Sequence, residues 1–517
     1  MSNFYDSIVV PFVTVNAVLL FSRLPALAYS HGIPEESQSS LMVFTLESFG
    51  ILYFPMALLG LVVTGSLRAA APDKVLPAIH RVKSVNARAT VNALAHTAQI
   101  DRIAVDFGAT KILITGAGKR TPGGQTFGGR AEVQNIPVGR LGDYWPIPFA
   151  PGGRTWALAN LSGGEIDVAA EFGLSTPDHD LAQLGVDRMV GMIDYRGMGV
   201  RYMPDMPELE GVSGTARYED GTLRFDVASG SAAGLRTAGA TIVISGLADQ
   251  SVHRAAIRMP IAGSAADVVR FLARPKLGLS KDMLYDSRRV GGEVAVDLSI
   301  GFPLLNALTV AELDIKAEAT LSKFSLRGAI GDVDLSDTSA QVKFGGSELT
   351  VSGTGKLEGN PIEISWRSHF GAKVPFRQRY DVKGTFPSAL IAKAGLPSPE
   401  PWIKGPITTT LSYQVATNGA SEVVGRFEIR GAYASAPPLG WAKEPGIDGQ
   451  VQMTARLASG GKVQTIDYDA RSNGLQSVGQ VRFSGDSSVQ HVVVQQFRIG
   501  RTDIAGEWRR APGGVEV

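Results

Sequence analysis

From about Ile103 to its end the chain is a succession of short runs in which apolar and polar residues alternate, broken at intervals by Gly, Asn and Pro. Alternation at period two puts successive side chains on opposite faces of an extended backbone, so each run predicts a β-strand with one apolar and one wet face. The cleanest runs set Leu223, Phe225 and Val227 against Arg224 and Asp226, and Leu313, Ile315, Ala317, Ala319 and Leu321 against Asp314, Lys316, Glu318 and Thr320. Others carry Ile362, Ile364 and Trp366, then Val451, Met453, Ala455 and Leu457. The fold class expected is mainly β, a long curved antiparallel sheet over residues 99–517. Such strands need an apolar partner, and the chain lacks a matching set of long amphipathic helices to supply one. Within the β region, helix-like stretches are Ser264–Arg274, with Val268, Val269, Phe271 and Leu272 on its packed side, and Pro387–Gly395; both read as short caps on the sheet. Leu223, Phe225, Val227, Leu313, Ile315, Ile362 and Ile364 are the candidates for an inward apolar face.

The N-terminal part has a different pattern. Ser48–Leu67 contains no charged residue and has about the length of a membrane-crossing helix. An earlier run, Ser7–Ser22, is shorter and reads as a second crossing or a re-entrant segment, and the start MSNFYDS lacks the basic region of a cleaved signal peptide. Residues 1–70 are thus expected to form a transmembrane helical hairpin, and 71–98, chiefly Val75–Ala98, a helical linker. The loop between the two runs has no Lys or Arg, whereas Arg68, Lys74, Arg81, Lys83 and Arg88 follow the second run. The positive-inside rule taken alone would put both ends of the hairpin in the cytoplasm, although long domains override such a bias.

Composition narrows the function classes. With 50 Lys+Arg against 49 Asp+Glu, and the basic residues scattered, the chain has no electrostatic footprint of a nucleic-acid binder. It has no cysteine, which removes disulfides, thiolate metal sites and a Cys nucleophile. Its 60 glycines favour a sheet with turns, bulges and bends. Apparent catalytic motifs fail on spacing: Gly116, Gly118 and Lys119 would need Gly at Leu113 and Ser or Thr at Arg120 to make a phosphate loop, and Gly355–Lys356 fails similarly, so both read as turns at strand ends. The seven His are dispersed, and Asp178–His179–Asp180 follows Pro177 as a polar loop. No enzyme, metal site or cofactor is expected.

A set of motifs arrives in a recognisable order. DRIAVDFGATKILITGAG (Asp101–Gly118) is followed by a segment containing Tyr144, Trp145, Pro146, Pro151, Arg154, Trp156, Asn160 and Gly163. Then come Tyr202, Pro204, Pro207, Gly214 and Gly230, later Phe302–Leu305, the PLGWAKEPG segment with Trp441 and Lys443, and GRTDIAG at Gly500–Gly506. From about Asn92 onward this order resembles the YhdP-like branch of the AsmA superfamily, large envelope proteins of Gram-negative bacteria. It departs from the family's pattern in having two hydrophobic runs and a short linker where a single anchor helix and a long region are usual, and in stopping soon after GRTDIAG, which reads as a truncated or rearranged member.

The resemblance implies a repeating β-groove with an apolar concave face, anchored in the inner membrane with its β region in the periplasm, carrying phospholipid between the inner and outer membranes. Its partners would be phospholipid acyl chains, the inner membrane and other envelope proteins. At roughly 4.8 Å per strand, about twenty-five strands would make a trough on the order of 120 Å long. Tyr144, Trp145 and Pro146 would be an aromatic gate or membrane-interface contact, or else a core plug; Arg154 would hold a lipid phosphate or pair with a carboxylate; Trp156 and Trp441 are motif residues of open role. The alternative function is an assembly factor or scaffold holding envelope proteins by β-augmentation along a sheet edge. A third, a polysaccharide-binding β module, would need regularly exposed aromatics, and aromatics make up only 8% of the chain.

Overall fold

The computed structural model describes residues 62–64, 68–70 and 79–516, apart from 93, 146, 148–149, 178–184, 249–252, 278–284, 305–311, 371–373, 395–398, 487 and 512–513. The described residues are mainly β. They form one long antiparallel sheet, two small three-stranded sheets and a few short helices. Both predicted membrane runs fall outside the described residues except at Val62–Thr64, which is a short strand paired with Arg68–Ala70. Among the described residues no helix is long and apolar enough to cross a membrane.

The chain divides into two compact units, Met1–Ile261 with Ser299–Asp314, and Ala262–Leu298 with Ile315–Val517. The division falls within the strands Arg254–Ser264 and Val290–Pro303 rather than at a linker.

In the first unit, strands Ser84–Asn92, Thr97–Asp106, Lys111–Thr121, Gly124–Pro137, Glu165–Pro177, Gly185–Val200, Leu209–Glu219, Thr222–Ala232, Ala240–Ser245 and Arg254–Ser264 pair successively in that order. The helical linker expected over Val75–Ala98 is instead β from Ile79. The reason is visible in Ser84–Asn92, where Val85, Ala87, Ala89 and Val91 alternate with Ser84, Asn86, Arg88 and Thr90. That period suits a strand, and Thr97–Asp106 provides its hydrogen-bonding partner. The turns follow from residue choice. Asp220 (φ 46°) and Gly221 (φ 68°) join two strands whose last pair is Glu219 with Thr222. Two consecutive positive φ values make a hairpin turn whose twist matches the strands, and Gly is the residue best suited to the second position.

In the second unit, strands Asp314–Ile330, Val333–Gly345, Glu348–Leu357, Asn360–His369, Gln378–Pro387, Pro406–Val415, Ser421–Glu428, Gly449–Leu457, Val463–Ser472, Leu475–Phe483, Val489–Ile499 and Thr502–Ala511 pair in the same successive way. Glu358 (φ 44°) and Gly359 (φ 80°) repeat the two-residue turn.

Both predicted caps are helices, Ala265–Leu272 and Ser388–Lys393. The first begins where the Ser264 hydroxyl accepts the Asp267 amide at 3.1 Å, satisfying an amide that the helix itself leaves unpaired. Val268 and Val269 pack into a core with Leu326, Val333, Leu335, Leu357 and Ile362, and Leu390 of the second cap joins the same core. Leu272, expected to pack down, is 38% exposed because it closes the last turn beyond this contact.

Candidate functional site

The registers convert the alternation into rows that run across the strands. In the first unit one row passes through Val85, Val105, Ile112, Val133 and Val168. It continues through Ile193, Ala216, Phe225, Ile242 and Ile257. Every position in it is apolar, one residue from each of the unit's successive strands. The neighbouring row on the same face passes through Ile103, Ile114, Ala131, Ala170, Gly191, Tyr218, Leu223, Ile244 and Ala255. One residue to the side, on the opposite face, Asp167, Asp194, Thr215, Asp226, Thr241 and Arg258 form a polar row. Arg217 and Arg224 stand directly across from each other on that face. Each is held on its own strand by an acid two residues on, Glu219 at 2.9 Å and Asp226 at 2.7 Å. These exposed pairs contribute little stability, but they keep the face wet.

The second unit repeats the segregation. One row passes through Ala319, Val342, Val351, Trp366, Tyr380 and Tyr413, then Val423, Ala455, Ile466, Val481, Val492 and Trp508. Its neighbour passes through Leu321, Ala340, Gly353, Ile364, Val382 and Leu411 before continuing through Gly425, Met453 and Tyr468. On the reverse face Glu318, Lys343, Thr350, Arg367, Arg379 and Gln414 lie in one row. All of the first row except Ala455 remain half-buried. Apolar surface therefore stays in water there, at a cost of roughly 25 cal/mol per Å² that a nonpolar ligand would relieve.

The predicted inward residues sort as follows. Leu223 and Val227 are buried and Phe225 half-buried, and all three belong to the core of the first unit. Leu313 packs on that core but lies just before its strand, which begins at Asp314. Ile315 is half-buried, while Ile362 is buried and Ile364 half-buried beside it in the second unit.

The segment expected to be a gate or plug belongs to the core. Trp145 is 4% exposed and packs with Leu141, Ile136, Ile166, Tyr195 and Met198, with Tyr144 and Trp156 against the same cluster. Pro146 lies outside the described residues. The Arg154 guanidinium donates to the carbonyls of Trp145 at 3.1 Å and Gly142 at 3.0 Å. It sits in helix Pro151–Asn160 and ties that helix to the preceding turn of chain. Trp441 packs on a small core with Ile407 and Ile429, its indole donating to the Asn473 carbonyl at 3.0 Å.

Another expectation is revised. Gly116, Gly118 and Lys119 lie within the strand Lys111–Thr121 rather than in a turn. A Cβ on Gly116 would come within 2.8 Å of the Phe127 ring, so the glycine admits an aromatic neighbour and not a phosphate. Asp178–His179–Asp180 lies outside the described residues, and among the described residues no group of His, Asp and Glu could hold a metal ion.

Sequence reasoning missed three features. Trp366, Tyr380 and Tyr413 stack in one row, the first pair with centroids 5.5 Å apart and planes 5° apart, the second 6.0 Å and 22°. Burial pushes the Tyr380 hydroxyl up to about 12, with Tyr285 and Tyr413 adding to the shift, so the phenol stays protonated. Lys443 is 1% exposed, its ammonium donating to the carbonyls of Ala432 at 2.7 Å, Glu444 at 3.1 Å and Arg430 at 3.5 Å. Finally, Ser84–Asn92 is exposed along its whole length.

Among known families, the one described as YhdP protein matches over residues 83–435, more than half of the chain. No curated protein matches.

Proposed function

Because the chain belongs to the YhdP family, we propose that it is a membrane-anchored, non-enzymatic envelope protein whose apolar sheet face carries phospholipid between the inner and outer membranes. The observation behind the reading is the pair of apolar rows in each unit, unbroken by a charged side chain from strand to strand, with ion pairs on the reverse face. Acyl chains would replace water along Phe225 and Ile242 in one unit and along Ile364 and Val382 in the other, while headgroups stay in solvent. Movement along a row then exchanges one apolar contact for another. Ser48–Leu67 would anchor the protein in the inner membrane with the β region in the periplasm. No residue performs chemistry in this reading, and no cofactor is needed.

A photocrosslinking amino acid at Phe225 or Ile364 in cells tests the proposal. Capture of phospholipid is expected; crosslinks to protein alone at both positions would overturn it. The strand Ser84–Asn92, exposed at every position, favours a second reading, a scaffold that takes on a partner strand. Crosslinks to an envelope protein from Val85, with none to lipid from Phe225, would support that one. For topology, a reporter active only outside the cytoplasm should be active when fused after Thr121; silence there, with an active cytoplasmic reporter, would reject the periplasmic placement.

A further inference from the structure

The apolar face of the second unit is not uniform from one strand end to the other. At the end covered by the helices Ala265–Leu272 and Ser388–Lys393 it is lined by Leu335, Leu357 and Ile362. The next row, with Ile364, Val382 and Leu411, is aliphatic. Beyond it comes the aromatic stack, and two residues further along the same strands stand Ser368, Gln378 and Val415, with Ser421 directly across from Val415 on the following strand. Both phenols reach toward that polar row: Tyr380 donates to the Gln378 side-chain carbonyl at 3.0 Å, and the Tyr413 hydroxyl lies 3.3 Å from that of Ser421. The indole N–H of Trp366 is buried with no acceptor among the described residues. In the preceding strands the same outer row holds Ala317, Phe344 and Leu349, so its polar members begin at the strand of Trp366 and fall on the strands of Trp366 and Tyr380 and on the one after that of Tyr413.

Aliphatic, then aromatic with hydrogen-bonding tips, then uncharged polar is the sequence of environments met on passing from the chains of a diacyl lipid to its glycerol esters. We infer that Trp366, Tyr380 and Tyr413 form a station that takes the ester region of a diacyl phospholipid, with its acyl chains directed toward Ile364, Val382 and the helix-covered end. The inference rests on the lipid-groove reading and adds an orientation to it. Ser368, Gln378 and Ser421 carry no charge, so the station grips the ester and glycerol oxygens common to phospholipids rather than one headgroup. An ester carbonyl is an acceptor of the kind the Trp366 N–H lacks, and the flat rings present a rigid surface that loses little entropy on contact.

The test uses the full chain in detergent, loaded from vesicles of phosphatidylcholine brominated either near the ester end of its chains or near the chain terminus. Bromine quenches indole fluorescence at close range. The Trp366 signal is isolated as the difference between the parent and Trp366→Phe, since the chain has 6 tryptophans. Severalfold stronger quenching by the ester-end label is expected. Quenching that is equal, or stronger from the terminal label, overturns the orientation while bound lipid in an organic extract leaves the groove reading intact. If the extract contains no phospholipid, the groove reading fails and the station with it. Gln378→Leu guards against a folding artefact in the tryptophan variant: with an unchanged thermal transition, it should lower the preference for the ester-end label severalfold, and an unchanged preference counts against the station.

Discussion

Tyr195 stands directly across from Gly214, and its ring lies over the space where a side chain would be: a Cβ on Gly214 would sit 2.7 Å from the Tyr195 hydroxyl oxygen and 2.1 Å from the Asp226 carbonyl oxygen. The hydroxyl donates to that same carbonyl at 3.3 Å. Tyr468 covers Gly479 in the second unit with the same 2.7 Å spacing. Gly214→Ala should therefore cost about 1–3 kcal/mol through overpacking, read as a lower urea midpoint with an unchanged slope. Gly128→Ala, whose nearest new contact is an ordinary 3.8 Å, should leave the midpoint almost unmoved.

Face matters more than hydrophobicity. Val382 lies in an apolar row, whereas Val424 is 46% exposed on the polar face between Ser412 and Thr454. Val424→Asp should change stability by no more than about 0.5 kcal/mol and leave lipid transfer between labelled vesicles as it was. Val382→Asp should reduce transfer at least tenfold with a smaller proportional loss of folded protein, because a carboxylate facing acyl chains must be desolvated. Equal transfer by both variants would contradict the proposed path.

Arg154 has a positional role that its sequence context concealed. Removing its guanidinium leaves the carbonyls of Trp145 and Gly142 without that donor, at a cost of about 1–3 kcal/mol. Limited proteolysis of Arg154→Ala should show new cleavage between residues 138 and 160 before the sheet is cut, and Arg154→Lys should rescue this in part, since one ammonium cannot fork to both carbonyls.

Lys443 gives the chain a pH dependence. Burial pushes its ammonium below the ordinary 10.5, against the opposing carboxylates of Asp448 and Glu444. Between the depressed folded value and 10.5 the unfolded chain holds a proton that the folded chain has released, so this residue's contribution to stability rises with pH across that window and is flat above it. The stability difference between parent and Lys443→Met should grow in favour of the parent as pH rises toward 10.5. A difference that shrinks would mean that its three carbonyl acceptors outweigh burial.

The strands were legible because their signal is local. In Asp314–Ile330 the side chains of Asp314 to Thr320 alternate exposed and half-buried in step with the letters of the sequence. The caps were legible for the same reason, since a serine ahead of an apolar 3.6-residue pattern marks a helix start. What stayed hidden depends on register. Nothing near Trp366 in the chain announces that Tyr380 and Tyr413, on two later strands, will share its row, because the offset is fixed by the loops between them. Val85–Val91 was misread because an alanine-rich run fits a helix nearly as well as a strand until a partner strand is known. Lys443 was hidden because a buried ammonium is made acceptable by backbone carbonyls, which leave no mark in a sequence.

The pairing order has an evolutionary consequence. Within each unit nearly every strand bonds the strands just before and after it in the chain, so a hairpin can be duplicated or deleted without rearranging the rest. Each such event would change a unit's width by about 10 Å and extend every row by two positions of the same character. Reach is thus a heritable quantity that varies in small, individually foldable steps, and on the proposed reading selection could match such a chain to a wider or narrower gap between membranes without redesigning its apolar face.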